Sequence, residues 1–384
     1  MKNYAEIMKI IDGGLKNDPK KVYDYSLLLA EKLRSTGEEI KAERILKLLS
    51  SQIAFQDNQI IGSARYSKQA RQLPFDQESK LEIADYYEPY QIENKPLILS
   101  KSNQQQIDDF TKSYVYSDKL ASHGLDVATT LLLFGPPGCG KTKTAFYVAQ
   151  TLSLPLVIAR LDTLISSYLG STSKNIRLLF EYASQTPCIL FLDEFDAVAK
   201  LRDDQHEMGE LKRVVNSLLQ NIDNLGDKCI LIGATNHDKL LDKAIWRRFA
   251  TRVHIKLPTE DMIKTVLKQY SADLNVFFEG KQIDLLAELF VGQSISDIEQ
   301  ITKKGIRKSI IEDREMQLAD IVESYFSFIQ MDFEVGDIDE SRRGKIKYLM
   351  EKLNKPSRRT IGELLRCHHN TVSSDMEKIQ TNER

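Results

Sequence analysis

The stretch Thr130–Thr142, TLLLFGPPGCGKT, decides the fold, because it joins a short apolar run to a glycine-rich loop. A helical run, TKTAFYVAQTL, follows the loop directly from Thr142. Strand, loop and helix in this order match the phosphate-loop pattern GxxxxGK[ST], in which backbone N–H groups and a helix N-terminus hold a polyphosphate. The sequence therefore predicts a polyphosphate site at residues 135–142.

The side chains of this loop suit phosphate and metal binding. We expect Lys141 at the β- and γ-phosphates of ATP and Thr142 as a ligand of Mg²⁺. A glycine-rich loop that merely ends a strand is the alternative, and an eight-residue match in its required setting argues against it. The other residues expected to contact the phosphates are Gly135, Pro136, Pro137, Gly138, Cys139 and Gly140.

Two later apolar runs end in polar residues. ILFLDEFD places Asp193 and Glu194 at the carboxyl end of a buried strand, which is where ligands bind in open parallel sheets. We expect Asp193 to hold Mg²⁺ and Glu194 to polarise the attacking water. ILIGATN ends at Asn236, which is expected to touch the γ-phosphate or that water. With the phosphate loop, these residues predict an enzyme that hydrolyses a nucleoside triphosphate.

Two adjacent arginines, Arg247 and Arg248, follow in AIWRRF. Lys141 and the metal already face the phosphates, so this pair is suited to reach the nucleotide of a neighbouring subunit. Such an arginine finger is worth roughly 10³ to 10⁵ in rate. A solvated surface pair is the alternative, and position alone would favour it.

The order of helical and β-rich segments predicts the domains. Short β-rich runs alternate with amphipathic helical segments between Thr130 and Leu257, which predicts an α/β fold with a parallel sheet and helices on both faces. The expected domains are an N-terminal helical hairpin or bundle, a linker, an α/β nucleotide-binding domain, a helical lid and a basic helical domain, over residues 1–53, 54–104, 105–258, 259–334 and 335–384.

The sequences GPPGCGKT, ILFLDEFDAVAK, ILIGATNHDKLLDKAIWRRF and LAELFVGQSISDIEQ together resemble the AAA ATPase family, in its group with a second region of homology. The resemblance covers about residues 120–325. It implies a RecA-like domain with strand order 5-1-4-3-2, a helical lid and assembly into a ring, usually a hexamer. Ile295 stands where many members have glycine, so no adenine-contacting residue is assigned.

The same resemblance implies a loop that grips a protein substrate. Tyr168 and Leu169, followed by Gly170, stand at the family's aromatic–hydrophobic–glycine pore loop, just after the second strand. A ring of aromatic side chains on such loops can grip an extended polypeptide by intercalating between its side chains, whatever its sequence. A second, charged loop over Arg202–Glu210 is expected to face the central channel of the ring as well. Packing at a helix end is the alternative role for Tyr168.

The C-terminal tail differs from the rest in charge. Residues 341–384 hold 11 Lys/Arg against 5 Asp/Glu, in a chain whose formal net charge is −2. Within this tail, Arg358–Ile379 resembles the DNA-binding helix-turn-helix of bacterial repressors, with Arg366 at the turn position where glycine is usual. A helical module that docks a partner protein is the alternative. The residues expected at a major groove or at phosphates are His369, Asn370, Ser373, Ser374, Arg342, Arg343, Lys345, Arg358 and Arg359.

Composition excludes several classes of protein. A chain of 384 residues with 42% hydrophobic and 28% charged residues is ordinary for a globular protein. It has no apolar run of membrane-spanning length and no signal-peptide core, and its four cysteines form no CxxC pair, so we expect a cytoplasmic protein with free thiols. HEMGE at His206–Glu210 lacks the second histidine of a zinc protease.

The sequence thus predicts a homo-oligomeric, ring-forming ATPase that remodels or threads a protein substrate. Two alternatives stay open. One is a DNA-associated ATPase switch that uses residues 341–384. The other is a regulatory ATPase for a separately encoded protease or toxin in bacterial defence.

Overall fold

The computed structural model describes residues 7–9, 25–26, 28–30, 32–33, 41, 83–92, 96–161, 169–197, 210–274, 276–329 and 338–382. The chain divides into two compact units, Met1–Gln72 and Leu73–Arg384. The described residues of the first unit are helical, and Lys9 Nζ donates a hydrogen bond to the Tyr25 hydroxyl at 3.1 Å. The rest of the bundle predicted over residues 1–53 lies outside the described residues.

The second unit contains one mixed sheet and helices on both of its faces. Its strands are β1 (Asp85–Tyr87), β2 (Thr130–Phe134), β3 (Leu156–Arg160), β4 (Cys188–Asp193), β5 (Cys229–Thr235) and β6 (Thr251–His254). Its helices are α1 (Lys101–Val115), α2 (Ser117–Ser122), α3 (Lys141–Leu152), α4 (Leu169–Gln185), α5 (Glu210–Asp223), α6 (Lys243–Trp246), α7 (Glu260–Asp273), α8 (Gly280–Leu289), α9 (Ile295–Ile311), α10 (Leu318–Phe328), α11 (Ile338–Lys352), α12 (Arg358–Leu365) and α13 (His369–Asn382). In the part of the chain described, no helix is both long and apolar enough to cross a bilayer.

The sheet has the order β1-β3-β4-β5-β2-β6. Its strands β2 to β6 are parallel to one another. When β2 is counted as strand 1, the order β6-β2-β5-β4-β3 corresponds to the predicted order 5-1-4-3-2. The additional strand β1 pairs antiparallel to β3 at the edge, with Asp85 opposite Ile158. A strand of three residues carries too little pattern to be seen in sequence.

This edge strand corrects the predicted linker over residues 54–104. Residues 85–87 belong to the sheet, a short 3-10 helix follows at Pro89–Gln91, and α1 begins at Lys101. The side chain of Ser100 accepts a hydrogen bond from Asn103 N at 3.2 Å and so caps α1. The C-terminal part of the expected linker is therefore structured and packs on the α/β domain.

Apolar side chains cover both faces of the sheet. Leu132 and Leu190 pack with Phe180 on one face, whereas Leu131 and Ile107 belong to the core of the other face. Consecutive residues of β2 thus point to opposite faces, and its three central residues, Leu131, Leu132 and Leu133, are all buried. This is why the parallel strands read as continuous apolar runs instead of alternating ones.

The lid helices α7–α10 and the C-terminal helices α11–α13 share one apolar core. It contains Ile298 and Tyr325 from the lid together with Leu349, Ile361 and Val372 from the tail, each at most 1% exposed. The predicted boundary between residues 334 and 335 is therefore wrong as a domain boundary. The chain becomes basic near this point, but the apolar core continues across it.

A buried carboxylate adds ionic contacts to this shared core. Asp320 in α10 is fully buried and accepts hydrogen bonds from Arg314 at 2.6 and 2.7 Å, from Gln317 N at 3.0 Å and from Arg366 after α12. Burial raises the pKa of Asp320, but the hydrogen bonds and charges of its partners outweigh it and hold that pKa at about 2. The cluster thus joins the lid to the C-terminal helices.

Candidate functional site

The loop between β2 and α3 needs glycine where other segments approach it. Gly135 has φ +138° and Gly138 has φ +71°. A Cβ on Gly135 would lie 2.0 Å from the carbonyl oxygen of Ile255, and one on Gly138 would lie 2.4 Å from Ser294 Oγ. Ser296 N, in the first turn of α9, donates to the Gly138 carbonyl at 3.1 Å. The loop is therefore held between the sheet and the lid.

Lys141 is the first residue of α3, directly after this loop, and is 7% exposed. Its Nζ donates to the carbonyl oxygens of Gly135 and Pro136, both at 2.8 Å. Burial lowers the pKa of Lys141, and the carboxylates of Asp193 and Asp196 act in the opposite direction. The ammonium group is thus folded onto its own loop, beside the backbone groups that suit phosphate oxygens.

The predicted metal ligands lie together at the carboxyl ends of the strands. Thr142 Oγ1 donates to Asp193 Oδ2 at 3.3 Å, and Asp193 Oδ1 accepts from Glu194 N at 2.9 Å. A hydroxyl beside a carboxylate is a set of hard oxygen donors of the kind that Mg²⁺ takes next to substrate phosphates. The residues present therefore fit the expected metal.

Glu194 and Asn236 occupy turns that follow neighbouring strands. Glu194 has φ +54°, a left-handed conformation for a residue other than glycine, and Phe195 N donates to the Ala234 carbonyl at 2.8 Å. Thr235 Oγ1 donates to Asp196 Oδ1 at 3.1 Å and accepts from His237 N at 3.0 Å. These contacts fix both turns at the same edge of the sheet.

A cavity of about 550 Å³ brings these predicted residues together. Lys141, Thr142, Asp193, Glu194 and Asn236 all line it. Its other walls come from the segment before α1 and from the lid helices α7 and α9. These residues are Pro96, Leu97, Ile98, Val266, Gln269, Tyr270, Asp273, Leu274, Ile295, Ser296, Glu299 and Lys303.

The sequence did not assign this second set of wall residues. Leu97 and Ile98 lay in the predicted linker, where the short apolar run at residues 97–99 was their only signal. Ile295, which replaces the family's usual glycine, belongs to the apolar part of the wall. Tyr270 OH donates to Glu299 at 3.0 Å, and Lys303 donates to the same carboxylate at 2.5 Å. The cavity is thus polar at the loop and mixed at the lid.

The two arginines have different surroundings. The Arg248 guanidinium donates to both carboxylate oxygens of Asp223 at 2.9 and 2.8 Å and to the Ala244 carbonyl at 2.8 Å. Arg248 is therefore paired within its own subunit, and its predicted role at a neighbour's nucleotide stays a prediction. Arg247 is exposed, and no ion pair holds it among the residues described. Neither arginine lines the cavity.

The predicted pore-loop residues lie at the edge of the described structure. Tyr168 is outside the described residues, and Leu169 is the first residue of α4. The second, charged loop over Arg202–Glu210 is also outside them, apart from Glu210 at the start of α5. The pore loop therefore stays a prediction.

The four cysteines, Cys139, Cys188, Cys229 and Cys367, are free thiols, as expected. Burial raises the pKa of Cys139 in the phosphate loop, so this thiol is protonated at neutral pH. Within the described ranges, no group of three or more His, Cys, Asp or Glu residues could hold a metal ion. His206 of the HEMGE stretch falls outside those ranges.

Comparison with known proteins gives a consistent result. The family model "ATPase family associated with various cellular activities (AAA)" matches residues 131–257. The uncharacterized AAA family ATPase y4kL of Sinorhizobium fredii is 43% identical over 242 residues, which cover 63% of this chain and 72% of that protein. A protein of Methanothermobacter thermautotrophicus named as a homologue of a 26S proteasome regulatory subunit is 35% identical over 198 residues, or 50% of this chain and 53% of its own length.

Two further matches extend the comparison. The cell division control protein 48 homolog C of Arabidopsis thaliana is 32% identical over 234 residues, which cover 56% of this chain and 28% of that protein. The crystal structure of the FIGL-1 AAA domain superposes with a TM-score of 0.56 at 21% identity and covers 76% of this chain and 100% of that one. At such low identity the likeness supports the fold alone. The chain belongs to the AAA ATPase family, with a single AAA module that binds and hydrolyses ATP.

Proposed function

We propose that copies of this chain assemble into a ring, a hexamer, in which Mg²⁺-ATP hydrolysis at subunit interfaces drives the remodelling or threading of a protein substrate. The observation that carries the proposal is a division of charged groups. Lysine, hydroxyl and carboxylates line the cavity of one subunit, whereas Arg247 of the same subunit is exposed and outside it. The relatives named for cell division control protein 48 and for a proteasome regulatory subunit favour a protein substrate.

Within one subunit, five of the cavity residues have roles in hydrolysis. Lys141 binds the β- and γ-phosphates, and Glu194 takes up the proton of the attacking water as general base. Asn236 orients the γ-phosphate or the water from the adjacent strand end. Thr142 and Asp193 would hold Mg²⁺, which when bound neutralises charge on the phosphate oxygens.

The neighbouring subunit supplies the remaining positive charge. Arg247 reaches the neighbour's γ-phosphate as the arginine finger, where charge develops in the transition state. Arg248 acts beside it through its two hydrogen bonds to Asp223, which hold the segment directly after the short helix α6, where Arg247 lies. An arginine bound bidentately to a carboxylate is a well-ordered anchor.

A charge-removing substitution of similar size at Glu194 tests the catalytic role. Glu194→Gln keeps the volume of the side chain but removes its basicity, so hydrolysis should fall by about 10² to 10⁴ while ATP binding is retained. The measurements are steady-state phosphate release and ATP binding by calorimetry. Glu351→Gln changes the same charge at an exposed position of α11 and should leave both unchanged. Normal turnover in Glu194→Gln would exclude this mechanism.

Mixing two inactive variants tests the shared interface. Arg247→Ala lacks the finger and Glu194→Gln lacks the base, so each alone should be inactive. In a mixed ring, Glu194 of one subunit meets Arg247 of the other, and these interfaces are intact. Phosphate release should therefore recover on mixing. Without recovery, or with full hydrolysis by a monomer, the finger does not act between subunits.

The threading part of the proposal rests on the pore loop. We expect Tyr168→Ala, with Leu169 unchanged, to hydrolyse ATP but to lose unfolding of a captured protein substrate. Glu194→Gln rings can trap such a substrate for identification, including a separate protease if one docks. A Tyr168→Ala ring that still remodels this substrate normally would refute threading by this loop.

A further inference from the structure

The C-terminal helices α12 and α13 are joined by a tight turn with special backbone requirements. Arg366, after α12, takes φ +53°, and Cys367 N donates to the Gly362 carbonyl at 2.9 Å. A Cβ on Gly362 would lie 2.6 Å from the Cys367 carbonyl oxygen, so only glycine allows the chain to return this closely onto α12. Two helices linked by three residues, Arg366, Cys367 and His368, have the connection of a helix-turn-helix.

Helix α13 is fixed in place along one side. Val372 is fully buried in the shared core. Asp375 is 1% exposed and accepts a hydrogen bond from Arg342 Nε of α11 at 2.7 Å, and this bond raises the pKa of Arg342. Arg342, which the sequence placed at phosphates, is thus used inside the unit instead. Apolar and ionic contacts together set the orientation of α13.

The opposite side of α13 is exposed and polar. Asn370, Ser374 and Lys378 recur at intervals of four residues, and Glu377 lies beside them; all four are exposed. These side chains carry the donors and acceptors that read base edges: Asn suits adenine, Lys suits guanine and Glu suits cytosine. In the described part of α12 and α13, no large apolar side chain is exposed, so this face lacks the apolar anchors of a protein-docking surface.

The N-terminus of α12 is positively charged. Ser357 caps the helix by accepting from Thr360 N at 3.0 Å, and Arg358 and Arg359 follow as exposed residues. Lys355 is exposed just before the cap. A helix N-terminus with flanking cations attracts phosphate groups. Arg358 also donates to Ser373 Oγ of α13 at 3.3 Å, which places this cationic end beside α13.

We propose that the C-terminal unit, residues 338–382, binds duplex DNA, with the exposed face of α13 in the major groove and the N-terminus of α12 on the phosphate backbone. This goes beyond ATP hydrolysis and protein remodelling. It gives the basic tail a ligand of matching charge and shape. Because the unit shares its core with the lid, the full chain is the form to test.

Fluorescence anisotropy with a labelled duplex of about 30 base pairs, titrated at salt between about 50 and 200 mM, tests the backbone contacts. The wild-type chain should bind at low salt. The double variant Arg358→Gln/Arg359→Gln should bind at least about tenfold more weakly, with a salt slope smaller by about 2. Lys281→Gln, at an exposed position of α8, is the control and should lower neither the affinity for DNA nor the salt slope. Absence of binding at low salt, or an unchanged slope in the double variant, would overturn the proposal.

Selection from a pool of random duplexes tests the groove contacts. The wild-type chain should enrich a preferred sequence. Asn370→Ala/Ser374→Ala should lose about tenfold or more of the preference for that sequence over a scrambled one, because base contacts carry the discrimination. Both side chains are exposed, so ATP hydrolysis and thermal unfolding should stay as in the wild type and exclude misfolding. Binding with the same preference in this variant would contradict the placement of α13.

Discussion

The α/β domain and the region from the lid to the C-terminus bury their apolar side chains differently. In the α/β domain the sheet separates two cores, one on each face. The lid and helices α11–α13 instead share a single core. The predicted boundary at residues 258/259 falls between cores, whereas the predicted boundary at 334/335 cuts through one. The change of charge near residue 335 therefore did not correspond to a domain boundary. The boundary at 258/259, in contrast, agrees with the packing of the apolar side chains.

The cavity lined by Lys141, Asp193 and Glu194 lies where these two regions meet. The Gly138 carbonyl of the α/β domain accepts a hydrogen bond from Ser296 N of the lid, so α9, which contributes to the shared core, also touches the phosphate loop. A disturbance in the C-terminal helices should therefore reach the cavity through α9. The α/β domain, with its own two cores, should be affected less.

The largest effect should come from removing residues 335–384. The deletion takes away six apolar side chains that are at most 4% exposed, Ile346, Leu349, Leu353, Ile361, Leu364 and Val372. At about 2 kcal/mol each, the loss is on the order of 10 kcal/mol, which matches the whole stability of a typical domain. We expect the lid to unfold and ATP affinity to collapse, as followed by circular dichroism and calorimetry. Normal folding and ATP binding by the truncated chain would mean that the core is not shared.

A smaller loss should follow from Asp320→Asn. This variant leaves Arg314 and Arg366 without the buried carboxylate that they share, and breaking such a cluster costs about 3 kcal/mol. The melting temperature should fall by several degrees. Asp313→Asn removes the same charge from an exposed position nearby and serves as the control. Equal melting temperatures for the two variants would show that the ionic cluster does not join the regions.

A paired glycine substitution probes the contact between the loop and the lid. Gly138→Ala and Gly140→Ala both place alanine at a positive φ, which costs about 1 to 2 kcal/mol in each case. Only the first also meets Ser294, since nothing lies within 4 Å of a Cβ at Gly140. We expect ATP affinity to fall about tenfold further in Gly138→Ala, as measured by calorimetry. Equal losses would mean that the lid does not press on the loop.

The smallest effect concerns acid. The folded pKa of Asp320 is about 2, below the ordinary value of 3.8, so its stabilising contribution is present above about pH 4 and is lost as the pH falls towards 2. The difference in unfolding free energy between the wild type and Asp320→Asn should therefore shrink between pH 5 and pH 2. Denaturant titrations at several pH values measure it, and a difference that stays constant would contradict the depressed pKa.

Much of the site could be predicted because its signals are local in sequence. Lys141 and Thr142 belong to one continuous loop, and Asp193, Glu194 and Asn236 follow directly from the ends of apolar strands. Parallel strands bring their carboxyl ends to one edge, so the meeting of these residues follows from fold class. Leu97 and Ile295, which form part of the other cavity walls, had no comparable signal in the sequence. Their position depends on how the lid packs over the cavity.

The sequence by itself determined the local signals of the site: the phosphate loop, the acidic strand end and the helix, turn and helix of the tail all depend on residues close together in the chain. The strand order was implied by the resemblance to a family, because it pairs strands that lie far apart in the chain. The tertiary structure alone decided which distant groups meet. It paired Arg248 with Asp223, Arg366 with Asp320 and strand β1 with β3, and it joined the tail to the lid. Local conformation follows from backbone sterics and periodicity, whereas such partnerships depend on the packing of the whole chain.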